Sequence, residues 1–242
     1  ISDLAVNYFL KRKSIMYYYD ATYILVLIGA LICGLASLKV KTTYSKYSRI
    51  ASVRGLTAQD AALEILHAAG IYDVSIERIR GNLTDHYSPT EKVLRLSDSV
   101  YNNRSVAAIG VAAHECGHAI QHQESYAPLK LRSLSVPFAR FGSMLSWPVI
   151  IIGLILGSTN LAQLGVILFA FVVFFQFITL PVEFNASKRA LAVLENRHVL
   201  YDDELDGARK VLSAAALTYV AALINTLLQM LRLILIVNRR ND

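Results

Sequence analysis

Charge is the first thing this sequence lacks. Of its 242 residues only 17% are Asp, Glu, Lys or Arg, against roughly 25% in an average soluble domain. Hydrophobic residues make up 55% of the chain and the mean hydropathy is +0.43, which excludes intrinsic disorder. The apolar excess is clustered in a few long runs, so the chain belongs in a membrane. Cysteine is also scarce. Cys33 lies in a hydrophobic run and Cys116 in an apolar helical pattern, so neither a disulfide framework nor an oxidising compartment is implied. No repeat of fixed period and no Pro/Gly/Ser-rich linker is present. Arg/Lys blocks interleaved with aromatics are missing outside the membrane flanks, which argues against a nucleic-acid partner. The net charge of +6, from 24 Lys and Arg against 18 Asp and Glu, instead fits loops facing anionic lipid.

Residues 21–38, ATYILVLIGALICGLASL, carry no charge and are long enough, at about 1.5 Å per residue, to cross a hydrocarbon core. Lys39, Lys41, Lys46 and Arg49 follow in place of a small-residue cleavage site, so this span is expected to stay attached. Residues 141–180 form a second apolar region broken by Gly157-Ser158-Thr159-Asn160, the pattern of a transmembrane hairpin with Trp147 near one interface. A last run, Val211 to Val237, is long enough to cross with tilt although it contains Asn225, Gln229 and Arg232. The expectation is a mainly α integral membrane protein with about four transmembrane helices and a small α+β unit, which the motif described below makes zincin-like.

Lys and Arg flank the spans on one side: Lys39 to Arg54, Lys130 to Arg140 and Lys188 to Lys210, with none in the 157–163 connection. This places segments 39–140 and 182–210 in the cytoplasm. Lys11, Arg12, Lys13, Arg232, Arg239 and Arg240 run against that assignment. The expected organisation is an N-terminal extension over 1–15, a first span over 16–38, a cytoplasmic unit over 39–140, a hairpin over 141–180, a helical segment over 181–210 and a final transmembrane or interfacial helix over 211–242.

Within the polar unit, Thr57 with Asp60 reads as a capping box opening a helix to about Ala69, with Gly70 as its stop. Val74 to Ile79 alternates like a strand, Gly81-Asn82 marks a turn, and Lys92 to Leu96 predicts a second short strand. Ser105 begins a helix that carries VAAHECGHAIQH over 111–122.

His114, Glu115 and His118 form an HExxH motif. On a helix, positions i and i+4 share a face, so two imidazoles converge on one ion while Glu115 projects towards a water beside it. Two neutral imidazoles with a carboxylate suit Zn2+, and an open fourth position makes hydroxide available near neutral pH with Glu115 as base. A five-residue match also arises by chance. The flanking Val111, Ala112, Ala113, Ala119 and Ile120 are apolar, however, and burying three polar groups among them without a metal or partners would cost several kcal/mol.

The best third ligand is Glu183 in LPVEFNASKRA, just beyond the hairpin, with Ser187 one turn later where its hydroxyl can bond a ligand imidazole. Glu183 also reads as a carboxylate snorkelling from a helix end. Glu195, Glu204, His198, His86 and His122 are rival ligands. Asn185, Arg189, His198 and Tyr201 are candidates to stabilise the oxyanion of an acyl-transfer intermediate.

HECGH, then a two-span hairpin, then EFNAS resembles the membrane zinc metallopeptidases of the YugP type and, more distantly, the HtpX-type gluzincin proteases. The resemblance covers nearly the whole chain from Met16. It implies a bacterial plasma-membrane peptidase with His114, His118 and Glu183 as zinc ligands and Glu115 as catalytic base. Where the distant relatives have ExxxD, Ser187 stands in the Asp position, and Asn185 lies beside it. The resemblance further implies an exposed edge strand that pairs with substrate backbone, at Val93, Leu94, Arg95 and Leu96. The expected activity is endopeptidic hydrolysis of a peptide or membrane-protein substrate at the lipid bilayer. A non-catalytic zinc-binding scaffold and a transporter with an ionisable intramembrane site are the alternatives. Substrate preference and oligomeric state are not readable from the chain.

Overall fold

A computed structural model describes residues 21–238. The predicted 1–15 extension, the basic cluster at Lys11 to Lys13 and Arg239 with Arg240 lie outside the described residues. In chain order the elements are α1 (Tyr23–Tyr47), α2 (Ala58–Ala68), β1 (Ser75–Ile79), β2 (His86–Ser88), β3 (Val93–Ser97), α3 (Val106–Gln123), α4 (Ala127–Ile155), α5 (Thr159–Asn196) and α6 (Asp202–Asn238). Among the described residues, α1, α4, α5 and α6 are each long and apolar enough to cross a membrane.

Helix α4 packs on α5, α5 on α6 and α6 on α1. The hairpin turn between α4 and α5 is made by Gly157 at φ +66°, a left-handed position that glycine takes without penalty, followed by Ser158 capping the Leu161 N–H. All four long helices continue past their apolar runs. Helix α1 ends at Tyr47, whose side chain is buried in the core of the polar unit. Helix α5 runs unbroken through Pro181, so the span and the predicted 181–210 segment share one helix as far as Asn196. Arg232, the awkward charge of the last span, lies level with the start of α1, its guanidinium 4.2 Å from the Tyr23 ring and 3.3 Å from the Thr22 hydroxyl.

The polar unit is built around α3, a helix whose apolar residues are buried nearly all round and which packs against α2, α5 and α6. Its start is fixed by Ser105, which accepts from the Ala108 N–H at 3.2 Å, as expected of an N-cap hydroxyl. Thr57 and Asp60 make the reciprocal capping box at the start of α2, and Gly70 adopts φ +73° after its end. Leu94 and Leu96 of β3, Ile65 and Leu66 of α2, Ile109 of α3 and Leu194 of α5 are fully buried in one core.

The small sheet corrects one expectation. Its strand order is β1-β3-β2, with β1 parallel and β2 antiparallel to β3. Val93, Leu94, Arg95 and Leu96 therefore form the central strand, hydrogen-bonded on both sides, and cannot offer a free edge to a substrate. The unpredicted strand is His86–Ser88, paired to β3 through His86 with Arg95 and Tyr87 with Leu94. At three residues it is too short to announce itself by alternation. Strand β2 lies at an edge of the sheet and, like β3, contacts α3.

Candidate active site

Helical periodicity places His114 and His118 on one face of α3, their rings edge to face with centroids 4.8 Å apart. Glu183 comes from α5 and is 2% exposed. Its Oε2 lies 3.2 Å from His114 Nε2 and 3.5 Å from His118 Nε2. The three donor atoms lie within 4.8 Å of one another. Four ligands arranged tetrahedrally at about 2.1 Å from zinc stand about 3.4 Å from each other, so this spacing and donor set fit the ion. None of the rival ligands joins the cluster among the described residues.

The far nitrogen of each ring is tied down. His114 Nδ1 meets Ser187 Oγ at 3.1 Å, and His118 Nδ1 meets Gln121 Oε1 at 3.1 Å. Gln121 is fully buried, and its amide nitrogen donates to Val182 O at 2.8 Å and to Asn185 Oδ1 at 3.0 Å. That assignment leaves only its oxygen for His118, so His118 carries its proton on Nδ1 and turns the Nε2 lone pair towards Glu183. Asn185 thus acts on the cluster through Gln121, and its oxygen also accepts from Arg189 Nε at 2.6 Å. Burial alone would disfavour charge on His118, but the bond that a protonated ring would make to Glu183 and the nearby Glu115 charge raise its pKa above the ordinary histidine value.

Glu115 stays out of the cluster. Its Oε2 accepts from the Tyr87 N–H of β2 at 3.1 Å, which presents a carboxylate beside the imidazoles without spending it as a ligand. Asp85 lies close by, with burial raising its pKa against the opposing effect of bonds from the Ser97 N–H at 2.7 Å and the Ser97 hydroxyl at 2.9 Å. Arg132 of α4 reaches the other oxygen of Glu183 at 3.3 Å. Two cavities, of about 220 and 320 Å3, adjoin the cluster and share His114, Glu115 and Glu183 in their walls. Cys116 faces away into the core, where burial pushes its thiol well above its usual pKa, so it is no nucleophile.

Four contributors escaped the sequence reading: Tyr87, Gln121, Arg132 and Tyr219, the last of which lines both cavities. Gln121 carried a signal, since an amide three residues after His118 on an apolar helix needs partners. The others come from separate elements and have no local signature. Conversely, Arg189 is engaged by Glu124 at 2.6 Å, His198 stacks on Tyr201, and His122 Nδ1 bonds the Tyr87 hydroxyl at 2.9 Å.

A family model described as "Putative neutral zinc metallopeptidase" matches residues 22–238. The chain is 50% identical over 208 residues to the "Putative membrane protease YugP" of Bacillus subtilis (strain 168), covering 86% of this chain and 92% of that protein. No solved structure matches. The family match spans every described helix and strand, from the first membrane-length helix to the last, and with it the paired imidazoles and the carboxylate that meets them: the chain belongs to the neutral zinc metallopeptidase family.

Proposed function

We propose that this chain is a multi-pass membrane endopeptidase that uses zinc held by His114, His118 and Glu183, with Glu115 as general base and the site on the cytoplasmic side of the bilayer. The observation that carries the reading is the division of labour among four side chains. Three donors converge, while the fourth, a carboxylate adjacent in sequence to the first, is held back by a backbone N–H. A zinc ion bound there supplies Lewis acidity and lowers the pKa of a water molecule.

The chain's own residues supply the rest. Glu115 removes the proton from water and later delivers it to the departing amine. Ser187 and Gln121 keep both Nε2 lone pairs directed inward, and Arg132 holds the Glu183 carboxylate against rotation. The substrate, a peptide or a membrane-associated chain, lies extended along the outer edge of β2, since β3 has no free edge. The cytoplasmic placement is supported by the lysines and arginines that flank the spans on the site's side.

Glu115→Gln tests the reading. The variant is expected to retain zinc, measured by elemental analysis, and to lose hydrolysis of casein or a quenched peptide. Retained proteolysis would reject Glu115 as the base. A wild-type protein that binds zinc but cleaves neither substrate would favour the scaffold alternative.

A further inference from the structure

Addition of water to a peptide carbonyl places a negative charge on the carbonyl oxygen, and a donor aimed at that oxygen is among the largest contributions a protein can make to acyl transfer. None of the residues that sequence proximity to Glu183 suggests lines either cavity: the Asn185 oxygen accepts from Gln121 and Arg189, Arg189 also pairs with Glu124, and His198 stacks on Tyr201. Five residues line both cavities beside the metal-ligand cluster: Asp85, His114, Glu115, Glu183 and Tyr219. Three of these are carboxylates, which accept, and His114 has both ring nitrogens engaged. Tyr219, on α6, brings the remaining donor.

Tyr219 shares the walls of both cavities with Glu183 and Glu115. Glu183 does not depend on it. One carboxylate oxygen is paired with Arg132 and the other faces the two imidazoles. A phenol is therefore held at the meeting point of two cavities beside a carboxylate already positioned by other groups.

We propose that Tyr219 is a catalytic residue, its O–H donating to the scissile carbonyl oxygen as that oxygen takes up charge; this rests on the peptidase reading above. The water oxygen bonds to the carbonyl carbon, one water proton passes to Glu115, and the carbonyl π pair moves onto oxygen, where the Tyr219 O–H hydrogen-bonds it without transferring its proton. On collapse the C–N bond breaks, its electron pair goes to nitrogen, and nitrogen takes the proton from Glu115.

Tyr219→Phe in the full-length, zinc-loaded protein in detergent tests this. Loss of an oxyanion donor is expected to lower kcat by about 100- to 1000-fold, with KM changed less than about threefold because the bond forms only in the transition state. Zinc content stays at the wild-type value. A phosphinic peptide, tetrahedral and anionic at the reacting centre, should bind at least about tenfold more weakly, while an uncleaved peptide should bind Glu115→Gln and Glu115→Gln/Tyr219→Phe alike. Wild-type kcat in Tyr219→Phe, equal weakening of phosphinic and uncleaved peptides, or loss of zinc would each overturn the proposal, the last by making the phenol a support for Glu183. If the wild-type protein itself cleaves nothing, the peptidase reading falls and takes this role with it.

Discussion

The two ends of the long helices are packed by different rules. At the polar end, α2, α3, β3 and the termini of α5 and α6 share one continuous core that includes Ile65, Leu66, Leu94, Ile109, Leu194 and Leu212. At the apolar end the buried cluster is Ile150, Phe169 and Leu233, while Leu31, Leu35, Met144, Ile155, Ile167 and Phe177 stay exposed. Surrounded by water, a helix must find protein to cover its apolar surface. In lipid the solvent is itself apolar, and close backbone packing replaces a hydrophobic core. The site lies at the join. Its two imidazoles and Glu115 come from α3, a helix of the polar core, and Glu183, Arg132 and Tyr219 come from helices of membrane length. Neither region alone holds the donor set.

The join is most easily disrupted at Gly117, one residue before His118. A Cβ there would lie 2.3 Å from the Ala186 carbonyl oxygen of α5, so α3 and α5 touch backbone to backbone beside the ligands. Gly117→Val is expected to force the helices apart at a cost of at least about 1–3 kcal/mol, with loss of zinc and of proteolysis. Gly142 makes an equally close approach in the apolar region, its hypothetical Cβ 2.4 Å from the Leu168 carbonyl oxygen. Gly142→Val should lower thermal stability in detergent by a similar amount but leave the zinc content of the folded fraction unchanged. Zinc lost from Gly142→Val and kept in Gly117→Val would reverse the assignment of the site to the join.

Smaller changes sharpen it. Gln121→Leu removes the acceptor of the His118 Nδ1 proton and the bond to the Val182 carbonyl, and is expected to weaken zinc binding by about 10- to 100-fold. Competition with a chelator of known affinity measures this. Ser187→Ala removes one bond, to His114 Nδ1, from a part-buried site, and should cost about tenfold or less by the same measurement. Thr57→Ala, which dismantles the capping box of α2 away from the site, should destabilise the protein by about 1 kcal/mol without altering zinc affinity.

Much of this was legible in the chain because its signals are local. The HExxH spacing, the break at Gly157 to Asn160, the Thr57 to Asp60 cap and the Ser105 start each reside in a handful of adjacent residues. Glu183 with Ser187 was readable for the same reason, as two polar residues one turn apart beyond an apolar run. What escaped depends on contacts between distant segments. Strand β2 has three residues, and its place outside β3 follows from the order of the sheet, which no window of sequence contains. Arg132 read as a membrane-flanking charge, yet it turns inward to Glu183. Tyr219 sits in an apolar helix without a local signature, and only the packing of α6 on α5 brings it to the site.

In the proposed function one zinc ion is shared between the two regions. Zinc content should be measured by elemental analysis on wild-type protein, Glu115→Gln and Glu183→Ala purified side by side in detergent. One zinc per chain is expected in the first two and a near-complete loss in Glu183→Ala, because Glu183 is the donor that α5 brings to the two imidazoles of α3. Full zinc occupancy in folded Glu183→Ala, or a wild-type protein that takes up none, would contradict it.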